Sequence, residues 1–494
     1  MGAACLAVVR RQAVPNPKPI IRCESKKTKT GCLTWSDGSN ATKRGRAAKV
    51  FSGPNSRETR ASAIPIAQQL DNFQGDEVER RLFDFFRAEI AHQIGGFLEE
   101  DFWATTLLQL GHSERFVLQT IVAITAFFEQ GMNHLGGDYF SYLVSSRTWE
   151  YYQRALEGAR QRTQASGSDL VTILSCPLFL CMEFLQRRKI QSMVLFLNGR
   201  ALMQMFDKQS QITSNSTITR RCVSSMFDRL TMMSRLFGHY STTRPQPSIN
   251  INTRAPSTFD CLRGARDALF KLLMLAHEFI KNLNEAHCWR LPAQALSEEE
   301  LQQRKQLLVQ LEKWSWNLHG LVTDLGTSAI GLSATLRMWY LTAVIWLNNP
   351  LEGCEMSFDS SYEWFQTVIH HAKEVLMAQP EKRRVLQFFT FEMGILAPLY
   401  YTAVKCRHFT LRNQALDCMR RAPRQEGLWR RDELVYVASR AIELETTPDP
   451  DITTLPSESQ RILKVKIFQT SGVNEIKAAF TYMNNTIEEV WNVP

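Results

Sequence analysis

The chain has 494 residues, of which 44% are hydrophobic, 10% aromatic and 22% charged. These values are typical of a soluble globular protein and argue against a wholly disordered chain and an integral membrane protein. Residues 1–70 contain 13 Lys or Arg and 3 Asp or Glu, whereas residues 71–494 contain 45 basic and 46 acidic residues. The excess positive charge therefore lies in the first seventh of the chain.

Residues 1–70 have the composition of a disordered arm. They are rich in Ser, Thr, Gly, Pro, Lys and Arg, and their only aromatic residues are Trp35 and Phe51. A segment of this kind cannot bury enough apolar surface to offset its chain entropy. We therefore expect a basic arm over residues 1–70 that is disordered when free.

Two basic clusters, KKTK and KRGR, lie thirteen residues apart in this arm. Short clusters of this kind suit the acidic groove of an importin or the phosphates of a nucleic acid. The second cluster could also enter an A·T-rich minor groove, because its glycine lets the flanking arginines into the narrow cleft. A merely solvated linker is the alternative. The candidate nuclear-targeting or nucleic-acid residues are Lys26, Lys27, Lys29, Lys43, Arg44 and Arg46.

From residue 76 onward the apolar residues recur at helical spacing, which predicts an all-α domain over residues 71–494. The first helix carries Val78, Leu82 and Ile90, and Ser297 with Glu300 forms a capping box at the start of a later helix. Strand signals are nearly absent, because period-two alternation bounded by tight turns does not recur. Further helices are predicted after residue 101, over 116–128, and over 140–163, 169–186, 190–206, 222–237, 257–284, 297–318, 331–347, 358–378, 385–406, 410–420, 431–445 and 474–491.

The eleven cysteines show no pairing pattern and lie mostly in apolar stretches, which predicts free thiols in a reducing compartment. Cys176 and Cys181 belong to the apolar run of residues 170–185, and we expect them in the core. At about 16 residues this run is shorter than the roughly 20 that span a bilayer, so no membrane partner is expected. Residues 187–189, Arg-Arg-Lys, follow the run and predict a solvated helix end.

Sequence motifs of common enzymes are missing from the chain. It contains no G-x-x-x-x-G-K-S/T phosphate loop, no G-x-G-x-x-G and no G-x-S-x-G elbow. His277-Glu278 lacks the second histidine of a zinc protease, since that position is Lys281. His370-His371 is interpreted as one exposed and one core residue. We therefore expect a protein that is not an enzyme, although a motif search does not detect a catalytic group assembled in space.

Several blocks of the chain resemble the fungal transcription factors that carry an N-terminal binuclear zinc cluster followed by a helical regulatory domain. KTKTGCLT, residues 27–34, is similar to the lead-in and first cysteine of that cluster. The pieces most typical of the family are Cys406-Arg407 and the EGLW of residues 426–429. The remaining blocks, in the family's order, are VERRLFDFFRAEIAHQIGGFLEEDFW (78–103), SCPLFLCMEFLQ (175–186), MFDRLTMMSRLFG (226–238), FDCLRGARDALFKLL (259–273), GILAPLYYTAVKCR (394–407) and LRNQALDCMRRAPRQEGLW (411–429).

The resemblance implies a nuclear protein with an all-helical fungal-specific regulatory domain. It also implies dimerisation, as in some members, and pathway-specific control of a fungal gene cluster, often one for secondary metabolism. In a sterol-responsive branch a related helical domain binds a sterol, so a small hydrophobic effector is a possible partner. The other implied partners are DNA and a second family member, in a homodimer or heterodimer.

The zinc cluster itself departs from the family pattern. A binuclear cluster needs six cysteine thiolates beginning C-x-x-C, because each tetrahedral zinc ion requires four ligands. Here Trp35 occupies the position of the second cysteine, the next cysteine after Cys32 is Cys176, and residues 1–70 contain no histidine. Zinc is therefore expected in the family but not in this chain, and Cys32 is interpreted as a remnant.

Two explanations of the missing cluster stay open. In the first, the gene has lost the zinc cluster, and the regulator pairs with an intact DNA-binding partner. In the second, the predicted gene structure is wrong near residue 35, and the rest of the cluster is encoded in sequence that it skips. DNA binding by this chain should be weak or indirect, through the charged arm. Two other functions are a helical ligand sensor or co-regulator without direct DNA binding, and a helical biosynthetic enzyme.

Overall fold

The computed structural model of the protein describes eleven stretches of the chain, and all structural statements below concern these stretches. The basic arm predicted for residues 1–70, with both basic clusters and Cys32, lies outside them. The described residues belong to one compact unit. They are residues 75–97, 101–133, 145–166, 170–209, 217–236, 258–287, 296–350, 355–378, 388–446, 455–468 and 475–492.

The first helices alternate with wider π-helical turns. Helix α1 begins at Asp76, whose carboxylate accepts a hydrogen bond from the backbone N–H of Glu79 at 2.8 Å, while the Glu79 carboxylate accepts from the Asp76 N–H at 3.2 Å. This reciprocal pair satisfies two backbone donors that a helix start leaves free. The elements of this part are α1 (Glu77–Phe85), a π-helical turn (Phe86–Ile90), α2 (Ala91–Gly95), a second π-helical turn (Phe102–Thr106) and α3 (Leu107–Ser113).

Longer helices form the rest of the domain. Consecutive helices pack against each other along the chain. The start of α10 is the capping box expected at Ser297 and Glu300. The helices are α4 (Arg115–Asn133), α5 (Ser146–Ser166), α6 (Leu170–Leu185), α7 (Lys189–Gln209), α8 (Thr217–Leu236), α9 (Leu262–His287), α10 (Glu298–Leu325), α11 (Ile330–Asn348), α12 (Tyr362–Ala378), α13 (Leu396–Lys405), α14 (Phe409–Arg421) and α15 (Arg431–Glu445).

Helix α11 is the apolar centre of the C-terminal half. Within the described part of the chain it is the one helix that is long and apolar enough to cross a membrane. However, 72% of its most apolar window is buried inside the domain, against α9, α10 and α12 among others. A helix that is hydrophobic on nearly all sides is what the core of a large helical protein requires.

Six short strands accompany the helices and form two small sheets. In the first, β1 (Phe389–Thr390) pairs in parallel with β2 (Gln425–Glu426), which pairs antiparallel with β3 (Trp429–Arg430). The second is an antiparallel meander whose inner face packs on α15. Its strands are β4 (Lys464–Phe468), β5 (Glu475–Thr481) and β6 (Thr486–Asn492).

The helical fold class is confirmed, but the helix predicted over residues 474–491 is wrong. This stretch forms β5 and β6, joined by a turn in which the Tyr482 N–H donates to the Asn485 carbonyl at 2.8 Å. The side chains of Ile476, Ala478 and Phe480 alternate toward the core that α15 closes. The stretch is rich in good helix formers such as Glu, Lys and Ala, and their propensity led to the helix prediction although apolar residues alternate with period two. In the folded protein, packing of the alternating side chains outweighs that propensity.

The helix predicted over residues 385–406 is also too long. Within this stretch β1 comes first, and α13 begins only at Leu396. The reason is that the backbone before Leu396 forms hydrogen bonds to groups distant in sequence: the Phe391 N–H donates to the Ile94 carbonyl at 2.9 Å. A helix across these residues would leave that carbonyl without this partner.

Candidate functional site

The structure tests only some of the residues to which the sequence drew attention. The six basic residues of the arm lie outside the described residues, as does Cys32, so they stay predictions. Cys176 and Cys181 are buried, which confirms their placement in the core. The His370 side chain is 69% exposed and His371 is buried, as expected. Within the described stretches no group of three or more His, Cys, Asp or Glu residues is placed to hold a metal ion.

Two short segments, residues 388–396 and 425–430, meet between the helices and are here called the central junction. Its main polar contact is Glu426, whose carboxylate accepts the backbone N–H groups of Gly394, Ile395 and Leu396, each at 3.0 Å. These are the free donors at the start of α13, so Glu426 acts as a cap supplied from outside the helix. The cap fixes residues 425–430 against the beginning of α13.

Glu426 is held in an unusual electrostatic environment. Complete burial raises the pKa of its carboxyl from 4.5 to about 7, although the three backbone N–H groups act in the opposite direction. Burial disfavours the charged form, while hydrogen bonds to the carboxylate favour it. The side chain therefore changes its charge near neutral pH while remaining inside the domain.

Gly427 allows the two segments of the central junction to approach closely. Its φ is +52°, which favours glycine, and its N–H donates to the Thr390 carbonyl at 2.8 Å. A Cβ atom here would meet the side chain of Met233. The next aromatic residue, Trp429, stacks on Trp339 of α11 with ring centroids 6.1 Å apart, so the EGLW block packs against the apolar centre of the C-terminal half.

A buried ion pair joins the central junction to α8. The guanidinium of Arg229 contacts the carboxylate of Glu392 through two hydrogen bonds of 2.5 and 2.9 Å. Arg229 also donates to the Ser225 hydroxyl at 2.6 Å, and Ser225 donates to Asp267 of α9 at 2.7 Å. Burial alone would raise the pKa of Asp267, but Arg266 and these contacts hold it below its usual value. Arg229 on α8 thus connects Glu392 of the central junction directly, and Asp267 of α9 through the Ser225 hydroxyl.

Aromatic contacts connect the central junction to the N-terminal helices. Phe391 lies 5.4 Å from Trp103 and 5.6 Å from Phe184, measured between ring centroids. Phe388 meets the ring of Phe128 of α4 edge to face at 5.6 Å. Phe388 and Phe391 therefore pack the central junction against the N-terminal half of the domain.

A second buried polar site, here called the ionic cluster, consists of Glu355, Lys405, Arg407, Arg412 and Glu445. Arg407 lies between the two carboxylates, at 2.8 Å from Glu355 and 3.0 Å from Glu445. Lys405 contacts Glu355 at 2.6 Å, and Arg412 contacts Glu445 at 2.7 Å. Burial alone would raise the pKa of Glu445, but Arg407 and Arg412 hold it below its usual value. Every charge of the ionic cluster thus has an opposite charge beside it.

The ionic cluster ties the C-terminal sheet to the helices. Arg407 donates to the Ile462 carbonyl at 2.9 Å, and Glu445 accepts the Ile462 N–H at 2.7 Å. Lys405 donates to the Leu463 carbonyl at 2.7 Å. The chain enters β4 directly after these residues, so the contacts set where the sheet begins.

The two sequence pieces most typical of the family thus lie at the two ends of α13. Glu426 caps its start, and Cys406-Arg407 follows its end. Sequence reasoning did not assign either role. The available signal was a charged residue inside an otherwise apolar stretch, such as Arg407 after YYTAVKC. A charge in such a position is buried only if a partner is supplied from elsewhere in the chain.

A small cleft lies between the end of α6 and the central junction. Tyr152 donates to Glu183 at 2.8 Å, and the Arg188 guanidinium lies 5.1 Å from the Trp149 ring centroid. Arg188 is half-buried, so the helix end expected to be solvated is partly enclosed. The cleft volume of about 10 Å³ accommodates about one water molecule. Its lining residues are Glu183, Phe184, Arg187, Arg188, Gln425, Leu428 and Arg430.

Comparison with known proteins agrees with the family indicated by the sequence blocks. The model of the fungal specific transcription factor domain matches residues 81–421, well over half of the chain. No curated protein and no solved structure matches the chain. The matched region runs from α1 to the end of α14 and contains the first segment of the central junction. The chain therefore belongs to the family with a fungal specific transcription factor domain, and it is a transcription regulator of a class that acts in the nucleus.

Proposed function

We propose that the protein controls a pathway-specific set of fungal genes, such as a secondary-metabolite cluster, mainly through its helical domain. The observation that carries this proposal is the family match over residues 81–421 together with the interrupted zinc motif. With Trp35 in the position of the second cysteine, the chain lacks the six thiolates that two zinc ions would share. Small modules of this type fold only with their metal. The family's means of reading bases is therefore compromised in this chain.

Contact with DNA would then come from the basic arm. Its lysines and arginines neutralise phosphates and release counterions, which gives binding that is strong at low salt and insensitive to sequence. The same two clusters suit nuclear import. A partner with an intact zinc cluster would supply base recognition, and the helical domain of this chain would supply the regulatory surface.

The expected DNA binding can be measured as a salt dependence. Replacing Lys43, Arg44 and Arg46 by alanine should reduce the slope of log affinity against log salt by about 3, because each lost phosphate contact removes roughly 0.9 from it. Electrophoretic shifts over a salt series measure this slope, on A·T-rich and G·C-rich duplexes in parallel. Both duplexes should lose affinity equally if the contact is electrostatic.

A matched control removes three basic residues of the helical domain, Arg420, Lys464 and Lys466, and should leave the slope unchanged. Sequence-selective binding by the unmodified chain at physiological salt would contradict the proposal, because it would require base recognition that the arm lacks. A slope that responds equally to the control would show that the arm is not the DNA-contacting segment.

The regulatory role predicts a transcript pattern. Deleting the gene should change the expression of a group of neighbouring genes. Re-expressing the unmodified chain should restore that expression if the helical domain carries the function. Restoration of expression should be lost when Arg407→Met disrupts the ionic cluster. A second variant, with alanine at all six basic residues of the two arm clusters, tests nuclear import separately. Unchanged transcripts after deletion would argue against pathway-specific control.

A small hydrophobic effector of the helical domain is a separate proposal. A small hydrophobic ligand would need an apolar cavity of several hundred cubic ångströms. The cleft beside α6 has space for about one water molecule only. Any such effector would therefore bind elsewhere or open a new space between helices.

A further inference from the structure

Helix α10 has an outward face with large apolar side chains in solvent. Leu301 is 41% exposed, Val309 54% and Trp316 70%. Residues 301, 309 and 316 fall within one stripe of the helix, because seven residues complete nearly two turns. The opposite face packs into the domain through Leu307, Leu311, Trp314 and Leu318.

Charged residues alternate with the apolar residues on this outward face. Lys305 and Glu312 are exposed and lie between Leu301 and Trp316 along the stripe. Glu298 and His319 continue it at its two ends. Among the ion pairs of the described residues none involves Lys305 or Glu312, so both charges are available to another molecule.

We propose that this face binds the same face of a second copy of the chain, with the two α10 helices antiparallel. The two-fold axis would pass between Leu308 and Val309. In this register four opposing pairs along the outward face are complementary: Leu301 meets Trp316 of the second copy, Lys305 meets its Glu312, Leu308 meets its Val309, and Glu298 meets its His319.

Geometry and charge favour this arrangement over its alternatives. Residues 298–319 span roughly 33 Å at 1.5 Å per residue, enough for several layers of side chains along one helix pair. A parallel pair would place lysine opposite lysine and glutamate opposite glutamate, which is unfavourable. The two-fold arrangement is closed, so each copy uses its whole stripe once and no filament forms.

The resulting interface is small. A single helix pair falls at the lower end of specific interfaces, about 1,000 Å² in total, where weak and reversible association is typical. The dimer does not depend on the proposed DNA contact of the arm. Its failure would leave the regulatory proposal intact, and the reverse also holds.

Charge exchange on the full chain tests the register. Lys305→Glu and Glu312→Lys should each weaken self-association at least tenfold in sedimentation velocity between 1 and 100 μM, because each places like charges opposite one another twice. Mixing the two variants should restore association, since every opposing pair is then Glu with Lys. The double variant should also associate like the unmodified chain.

A surface of similar exposure provides the control. Val309→Asp should weaken the dimer at least tenfold, whereas Val490→Asp, at a valine that is 56% exposed on β6, should not. Thermal unfolding of each variant verifies that the fold is retained. A chain that stays monomeric to 100 μM would overturn the proposal and leave the α10 face to a different protein. Dimers that ignore the charge exchange would overturn it as well.

Discussion

Replacing Arg407 by methionine is expected to lower the free energy of unfolding by about 3 kcal/mol, because removing one member of a buried charge network leaves the others undercompensated. Methionine has a similar length, so the loss reports charge and hydrogen bonds more than volume. Glu355 and Glu445 would each lose a contact of 2.8 to 3.0 Å, and the Ile462 carbonyl would lose its donor. Urea denaturation measures the change.

The location of the effect is as informative as its size. Because Arg407 and Glu445 hold Ile462 just before β4, amide hydrogen exchange should accelerate first in β4, β5 and β6. Local opening of this kind precedes global unfolding when one element is held by few contacts. The sheet should therefore loosen while α4 and α11 stay protected.

Arg420→Met supplies the matched control. Arg420 pairs with Asp417 at 2.7 Å, but the two side chains are 54% and 69% exposed. An exposed pair of this type contributes about 0 to 1 kcal/mol. Equal losses for Arg407→Met and Arg420→Met would refute the view that the ionic cluster holds the sheet.

The second large effect concerns pH and Glu426. The pKa of the Glu426 carboxyl is about 7 in the folded protein, against 4.5 for an ordinary glutamate such as that of the unfolded chain. The folded protein therefore binds this proton more tightly than the unfolded chain does. The stabilisation is complete below pH 4.5 and is lost as the pH rises through 7. A difference of this size corresponds to about 3 kcal/mol of unfolding free energy from this carboxyl.

Glu426→Gln tests this contribution, since glutamine keeps the shape but does not titrate. Unfolding free energies measured by urea at pH 5 and pH 8 should show a smaller decline for the variant than for the unmodified chain. Glu443→Gln, at an exposed glutamate of α15, should leave the decline unchanged. The same pH dependence of the unfolding free energy in Glu426→Gln and the unmodified chain would contradict the raised pKa. It would mean that the Glu426 carboxyl is ionised from pH 5 to pH 8, the state that its three N–H donors favour.

Truncation separates the cap from the charge. Glu426→Ala would remove the acceptor of three N–H groups at the start of α13. Glutamine retains one acceptor oxygen for these N–H groups, whereas alanine retains none. Each buried donor left without a partner costs about 1 to 3 kcal/mol, so Glu426→Ala should be less stable than Glu426→Gln at every pH. The order of the two variants distinguishes a capping role from a purely electrostatic one.

Much of the helical architecture was predictable because its determinants are local. The helix over residues 431–445 was predicted with its observed bounds, and Ser297 and Glu300 form the expected capping box. Both features depend on residues within a few positions of one another. The stretch that forms β5 and β6 was mispredicted because helix propensity and strand periodicity conflict there, and only packing against α15 decides between them.

The sequence by itself determined the family, the helical class, the separation of a basic arm from a neutral domain and the interruption of the zinc motif at Trp35. The tertiary structure alone decided which charges are buried together, because Glu355, Arg407 and Glu445 come from separate elements and meet only when the chain folds. It also decided that the EGLW block caps α13 and that the stripe of α10 faces solvent. These facts depend on which surfaces other elements cover, and a one-dimensional pattern does not contain that information.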